Sequence, residues 1–168
     1  SNVTASFSKI NKASDTLKFV GKDFVSFLND SLTFSSVVKA QFNNDKIKGD
    51  SLDKLFSTQF ALIDSAGTIY ATSTDKVNKF GANLLNKRTN LSFSIGEVSS
   101  TIINNDVKFF YQTYYKTPSS TSAKLEVGKS YVINSSNGRG ILTVTSIATN
   151  GSNEKEVKYT FQSYSIKY

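Results

Sequence analysis

Glu97, Glu126, Asp64 and Asp106 are the carboxylates from which acid–base chemistry would have to be built. Cleavage of a glycosidic bond is the reaction that two such groups perform at a set separation. All four fall at or near expected turns or strand ends, where acidic residues ordinarily face water. The chain contains no His and no Cys. It therefore lacks a Ser-His-Asp triad, a thiol nucleophile, and ordinary zinc or haem ligation. A Ser-Lys arrangement or a Tyr acting as acid remains, and no spacing singles one out. The sequence predicts no enzyme, with no catalytic residue, metal or cofactor assigned.

Residues 43–53 match a calcium loop only in part. Asn43 and Asp45 fit the first and third positions of an EF-hand, but Ile47 and Lys48 occupy the fifth and sixth, where oxygen and Gly are required. A looser set of Asp45, Asp50 and Asp53 is equally explained by a polar surface loop. Lys alternates with aromatics in Lys108-Phe109-Phe110-Tyr111 and Lys158-Tyr159-Thr160-Phe161. Such a pattern can stack bases and track phosphates. In a chain without Trp or Met, however, Phe and Tyr must build the core while interleaved Lys faces water. Nucleic acid is not an expected partner. Five Asn-x-Ser/Thr sequons, at Asn2, Asn29, Asn90, Asn134 and Asn150, are candidate glycosylation sites if the source modifies secreted proteins. Asn134 and Asn150 stand at expected turns.

The elements that would position any site are mostly strands. Alternating apolar and polar residues dominate, with β-branched and aromatic types in the apolar slots. Val3, Ala5 and Phe7 share one face of a strand over residues 1–10. That strand is either an edge of its own domain or a donor that adds to a neighbouring subunit. Leu17 to Leu28 and Leu32 to Phe42 read as longer strands, bulged or buried on both faces. Phe60–Asp64 and Thr68–Thr72 flank Ser65-Ala66-Gly67 as a hairpin. Residues 75–87 are the best helix, centred on 77–85, with Val77, Phe80 and Leu84 on one face; Ser51 to Phe56 could add one turn. Ser99–Ile103 and Val107–Tyr115 read as a hairpin about Asn104-Asn105-Asp106. Residues 116–123 form a loop, Leu125–Val127 and Tyr131–Ile133 are strands, and Asn134–Gly140 is a turn. In the last strand a change of phase at Gln162-Ser163 predicts a bulge or a change of sheet. The whole of 1–168 is expected to be one all-β domain, a β-sandwich of Ig-like or jelly-roll-like kind with at most one or two short helices.

Aromatics make up 12% of the chain and charged residues 20%, a balance suited to a packed core rather than to disorder. The net charge is +7, spread one or two residues at a time rather than in a basic run. No apolar stretch is long enough for a membrane span. Absence of both oxidisable residues, Cys and Met, suits an exposed life and points to a secreted or cell-surface location. The leading expectation is a structural or assembly subunit working through contacts with other protein subunits, as a homo-oligomer or a pilus- or filament-type polymer. The alternative is an extracellular module that binds carbohydrate or another ligand, using exposed Tyr and loops such as 43–56 or 117–123. A phage or virion structural protein is the second alternative.

Overall fold

The computed structural model of the chain describes residues 6–19, 24–28, 37–40, 42–43, 46–47, 60–73, 75–76, 93–104, 106–135, 138–152 and 155–167. Most of these lie in antiparallel strands, and one short α-helix interrupts them, so the fold is all-β. Strand β1 (Ser6–Phe19) pairs with β12 (Lys155–Lys167) of the same chain. Next to β12 come β11 (Gly138–Thr149), β10 (Ser130–Ser135) and β8 (Phe93–Val98), completing a five-stranded sheet. A second five-stranded sheet runs in the order β3 (Val37–Ala40), β2 (Phe24–Leu28), β6 (Phe60–Ser65), β7 (Thr68–Ser73) and β9 (Ser122–Lys124). The two-residue strands β4 (Phe42–Asn43) and β5 (Lys46–Ile47) pair separately.

The hairpin expected at residues 60–72 is present. Ala66 and Gly67 form its loop with φ of 51° and 89°, the pair of positive angles that matches strand twist in a two-residue turn. Gly67 takes its angle freely, whereas Ala66 does so at a cost of about 1–2 kcal/mol. The Gly67 N–H donates to Asp64 Oδ1 at 2.9 Å, which fixes the turn and gives that carboxylate oxygen a partner. Leu62, Ile69 and Ala71 from this hairpin join Ile95, Tyr131, Val144, Tyr159 and Phe161 of the other sheet in one core cluster.

Several expectations are corrected. Leu17 to Leu28 is not one strand: β1 ends at Phe19 and β2 starts at Phe24, and the two belong to different sheets. Gly21 and Asp23, residue types depleted in strands, stand between them in sequence. Ser99–Ile103 and Val107–Tyr115 are not a hairpin. A 3₁₀ turn (Ser100–Asn104), helix α1 (Asp106–Phe110) and a π turn (Tyr111–Tyr115) replace it. Helical winding wins because it buries Ile102 and Phe109 together against Ile141. It also lets Thr113 Oγ1 donate to the Phe109 carbonyl four residues back. Leu125 and Glu126 connect strands rather than forming one, and β10 runs on through Asn134 to Ser135, which pairs with Gly138. The phase change near Gln162 leaves the pairing of β12 with β11 unbroken there. The extra residue lies in β1, between Ile10, opposite Ser163, and Ala13, opposite Phe161. A further irregularity separates Val144 from Ser146 in β11. The helix expected over 77–85, the turn at 51–56 and residues Val3 and Ala5 lie outside the described residues.

Candidate functional site

Alternate residues along β8 and β10 serve opposite faces of the sheet. Ile95, Tyr131 and Ile133 enter the main core. Gly96, Val98 and Val132 alternate with them on the reverse side, where Ile102, Phe109 and Ile141 pack with Val98 beneath the helical segment. Phe109 is wholly buried there, which pins α1 to the sheet.

After the π turn the chain runs along the edge of β8 that faces away from β10. The Ile95 N–H donates to the Ser120 carbonyl at 2.8 Å, and the Ser73 N–H of β7 donates to the Thr121 carbonyl at 2.9 Å. Two consecutive residues thus hold one strand from each sheet. Pro118 passes over Gly96 so closely that a Cβ built there would stand 3.1 Å from the Pro118 Cβ. Asn134 Nδ2 donates to Thr117 Oγ1 at 3.2 Å and ties the start of the loop to β10.

The helical segment, this loop and β8 enclose a hollow of about 410 Å³. Gly96, Val98, Ile102 and Val132 give it an apolar floor, while Gln112 and Lys116 form one wall. Ser119 and Ser120 line the other, where the Ser120 hydroxyl donates to the Ser122 carbonyl at 2.7 Å. A few polar groups converging on an apolar floor is the usual make-up of a small-molecule site. The wall is wound as a π turn, with the Lys116 N–H donating to the Tyr111 carbonyl at 3.1 Å, a local winding common at functional sites.

One residue before Gln112 and Lys116 stand Tyr111 and Tyr115. Both rings are exposed, 55% and 71%, with centroids 6.3 Å apart and planes inclined by 30°. Val107, 79% exposed, continues the same four-residue spacing. These three are an exposed apolar stripe beside the hollow.

Charge at the rim is organised by Lys129. Its Nζ lies 3.4 Å from Glu97 Oε1 and is paired with Glu126 Oε2, while Lys124 Nζ lies 3.9 Å from Glu126 Oε1. The hydrogen bond from Lys129, reinforced by its charge, holds the Glu126 carboxyl below the usual carboxylate range, and the same bond raises Lys129. Glu126 is therefore a poor proton donor and Lys129 a poor nucleophile near neutral pH. Tyr131 reaches under this group: its hydroxyl donates to the Lys124 carbonyl and accepts the Glu126 N–H, each at 2.9 Å.

Of the four candidate acids, Glu97 and Glu126 are brought together through Lys129, and Asp64 caps its hairpin. Asp106 opens α1, and its side chain lies outside the description. Among the described residues no group of three or more acidic side chains could hold a metal ion. Asp45, Asp50 and Asp53 lie outside them. Tyr159 and Phe161 are core residues, so they offer no stacking platform, and Lys158 beside Tyr159 is exposed. Of the sequons, Asn134 lies in β10 rather than at a turn and is 7% exposed. Asn150 caps a turn, accepting the Ser152 N–H and donating to Glu156 Oε1 at 3.1 Å. Asn2, Asn29 and Asn90 fall outside the described residues, and of the assembly strand only the backbone of Phe7 is described, opposite Ile166. No helix among the described residues is long and apolar enough to cross a membrane.

Tyr111, Tyr115, Gln112 and Lys116 escape a reading by alternation. Their signal is the spacing of Val107, Tyr111 and Tyr115 beside Lys108, Gln112 and Lys116, two stripes that only a helical winding separates. Compared with known proteins, the chain matches no family model, no curated protein and no solved structure.

Proposed function

We propose that this domain is an extracellular, non-catalytic module that binds a saccharide in the hollow beside β8, using Tyr111 and Tyr115 as stacking surfaces. The exposed tyrosine pair carries the reading. Rigid amphipathic rings at low entropic cost are what a sugar face packs against, and the hydroxyls and amide of the hollow match sugar hydroxyls. The two sheets are taken as layers of an Ig-like or jelly-roll-like sandwich, supported by the core that Leu62 and Ile69 share with Tyr131 and Tyr159.

A panel of immobilised oligosaccharides, followed by calorimetry on any hit, tests this. Tyr111→Ala and Tyr115→Ala are expected to weaken binding about tenfold or more, with unfolding midpoints held because neither exposed ring supports the core. Absence of any saccharide ligand, or binding that ignores both rings, would sink the proposal.

A second reading, a filament, pilus-type or virion subunit, rests on β1. Among the described residues that 14-residue strand has one neighbour in its sheet, and such an edge is a template for strand addition. Light scattering over a concentration series decides it: growth in mass supports assembly, and a monomer throughout removes it.

A further inference from the structure

We infer that the saccharide taken by this hollow is acidic, carrying a carboxylate or sulfate that Lys116 engages; this rests on the saccharide reading above. Among the described residues, Lys116 is the one basic side chain lining the hollow, and Glu97 is the one acid. Their charges do not cancel there, because Glu97 already faces Lys129 at 3.4 Å. Lys129 is shared with Glu126, and Glu126 is approached in turn by Lys124. Two carboxylates and two ammonium groups thus balance at the β9–β10 side of the rim. Lys116 remains as the surplus charge, on the wall that the tyrosine pair adjoins.

Lys108, Gln112 and Lys116 follow one another at four-residue spacing, and Lys108 is exposed. Of these, Gln112 and Lys116 line the hollow and present to it an amide and an ammonium. A neutral sugar would draw only ordinary hydrogen bonds from these groups. An acidic one stacked on Tyr115 would bring its anionic group within reach of the Lys116 ammonium, a charge-assisted contact. The net charge of +7 adds a general attraction for anions, which salt screens over about 8–10 Å.

The probes are uronate-terminated oligosaccharides, the same compounds as uncharged methyl esters, and sulfated oligosaccharides, titrated calorimetrically into the full chain. Esterification is expected to weaken binding by about two- to fivefold, the size of one exposed ion pair. Lys116→Gln should weaken the acid to a similar degree, affect the ester less, and flatten the salt dependence. Lys158→Gln, a charge change at an exposed position of β12 outside the hollow's lining, serves as the control for net charge. Equal binding of acid and ester, or an equal loss in both lysine variants, overturns the acidic preference while leaving the saccharide reading standing. No binding by acid, ester or sulfated probe overturns both. A sulfate preference over carboxylate identifies the anion and supports the inference.

Discussion

The ring of Phe161 occupies the space that a side chain on Gly140 would need: a Cβ built there falls inside contact distance of both the ring and the Gln162 carbonyl. Gly140 lies in β11 between Ile133 of β10 and Ser163 of β12, so backbone from either side limits any escape.

Gly140→Ala should therefore destabilise the domain by about 1–3 kcal/mol, the usual cost of forcing atoms into a packed core. Denaturant midpoints measure it, and Phe161→Leu in the same chain should recover part of the loss. A neutral Gly140→Ala would mean that the Phe161 ring has room to move.

Tyr131→Phe removes one hydroxyl and strands two backbone groups, the Lys124 carbonyl and the Glu126 N–H. The expected loss is about 1–3 kcal/mol. Burial raises the Tyr131 hydroxyl pKa, with the Glu126 N–H partly opposing the rise. A raised pKa in the folded state contributes stability that is complete below the ordinary tyrosine value near 10 and is lost as pH rises through the raised one. In an alkaline titration followed by phenolate absorbance, Tyr131 should ionise late, and Tyr131→Phe should remove that late step.

Lys129→Gln should release Glu126 toward ordinary carboxylate behaviour. With Lys129 present, the lowered Glu126 pKa favours folding above the ordinary value and loses that contribution as pH falls through the lowered one. For Lys129 the sense is reversed: its contribution is complete below the ordinary lysine value and is lost as pH rises through the raised one. The Glu126 side-chain carboxyl shift, followed by NMR against pH, should move its midpoint upward in the variant. An unmoved midpoint would dissolve the pair in solution.

Phe109→Ala should cost about 3–5 kcal/mol and loosen residues 100–118 before the strands beneath them, because Phe109 is the buried ring that holds α1 to the sheet. Amide exchange resolved by residue would show the helical segment opening first. Uniform loss of protection would place Phe109 in the general core instead.

The hairpin at 60–73 was legible because Gly67 and the alternation around it say the same thing locally. Residues 99–115 were not. Val107, Phe109 and Tyr111 alternate as a strand would, and Phe and Tyr favour strands. In that phase Phe109 and Tyr111 share a face, whereas helical winding buries the first and exposes the second. What decides is Ile141, 32 residues beyond Phe109, which a local pattern cannot report. The candidate site was half legible for the same reason. A loop over 117–123 is legible in the sequence, but the exposed tyrosines beside the hollow lie on the segment whose helical winding the alternation hides. Ser120 and Thr121 look like ordinary loop residues until their carbonyls are seen to bond to both sheets.

Those two carbonyls make the wall of the hollow and the clasp between β7 and β8 one piece of chain. Thermodynamic reciprocity then applies. A guest that steadies residues 116–121 also fastens the seam joining the two sheets, and any strain that parts this seam must loosen the guest.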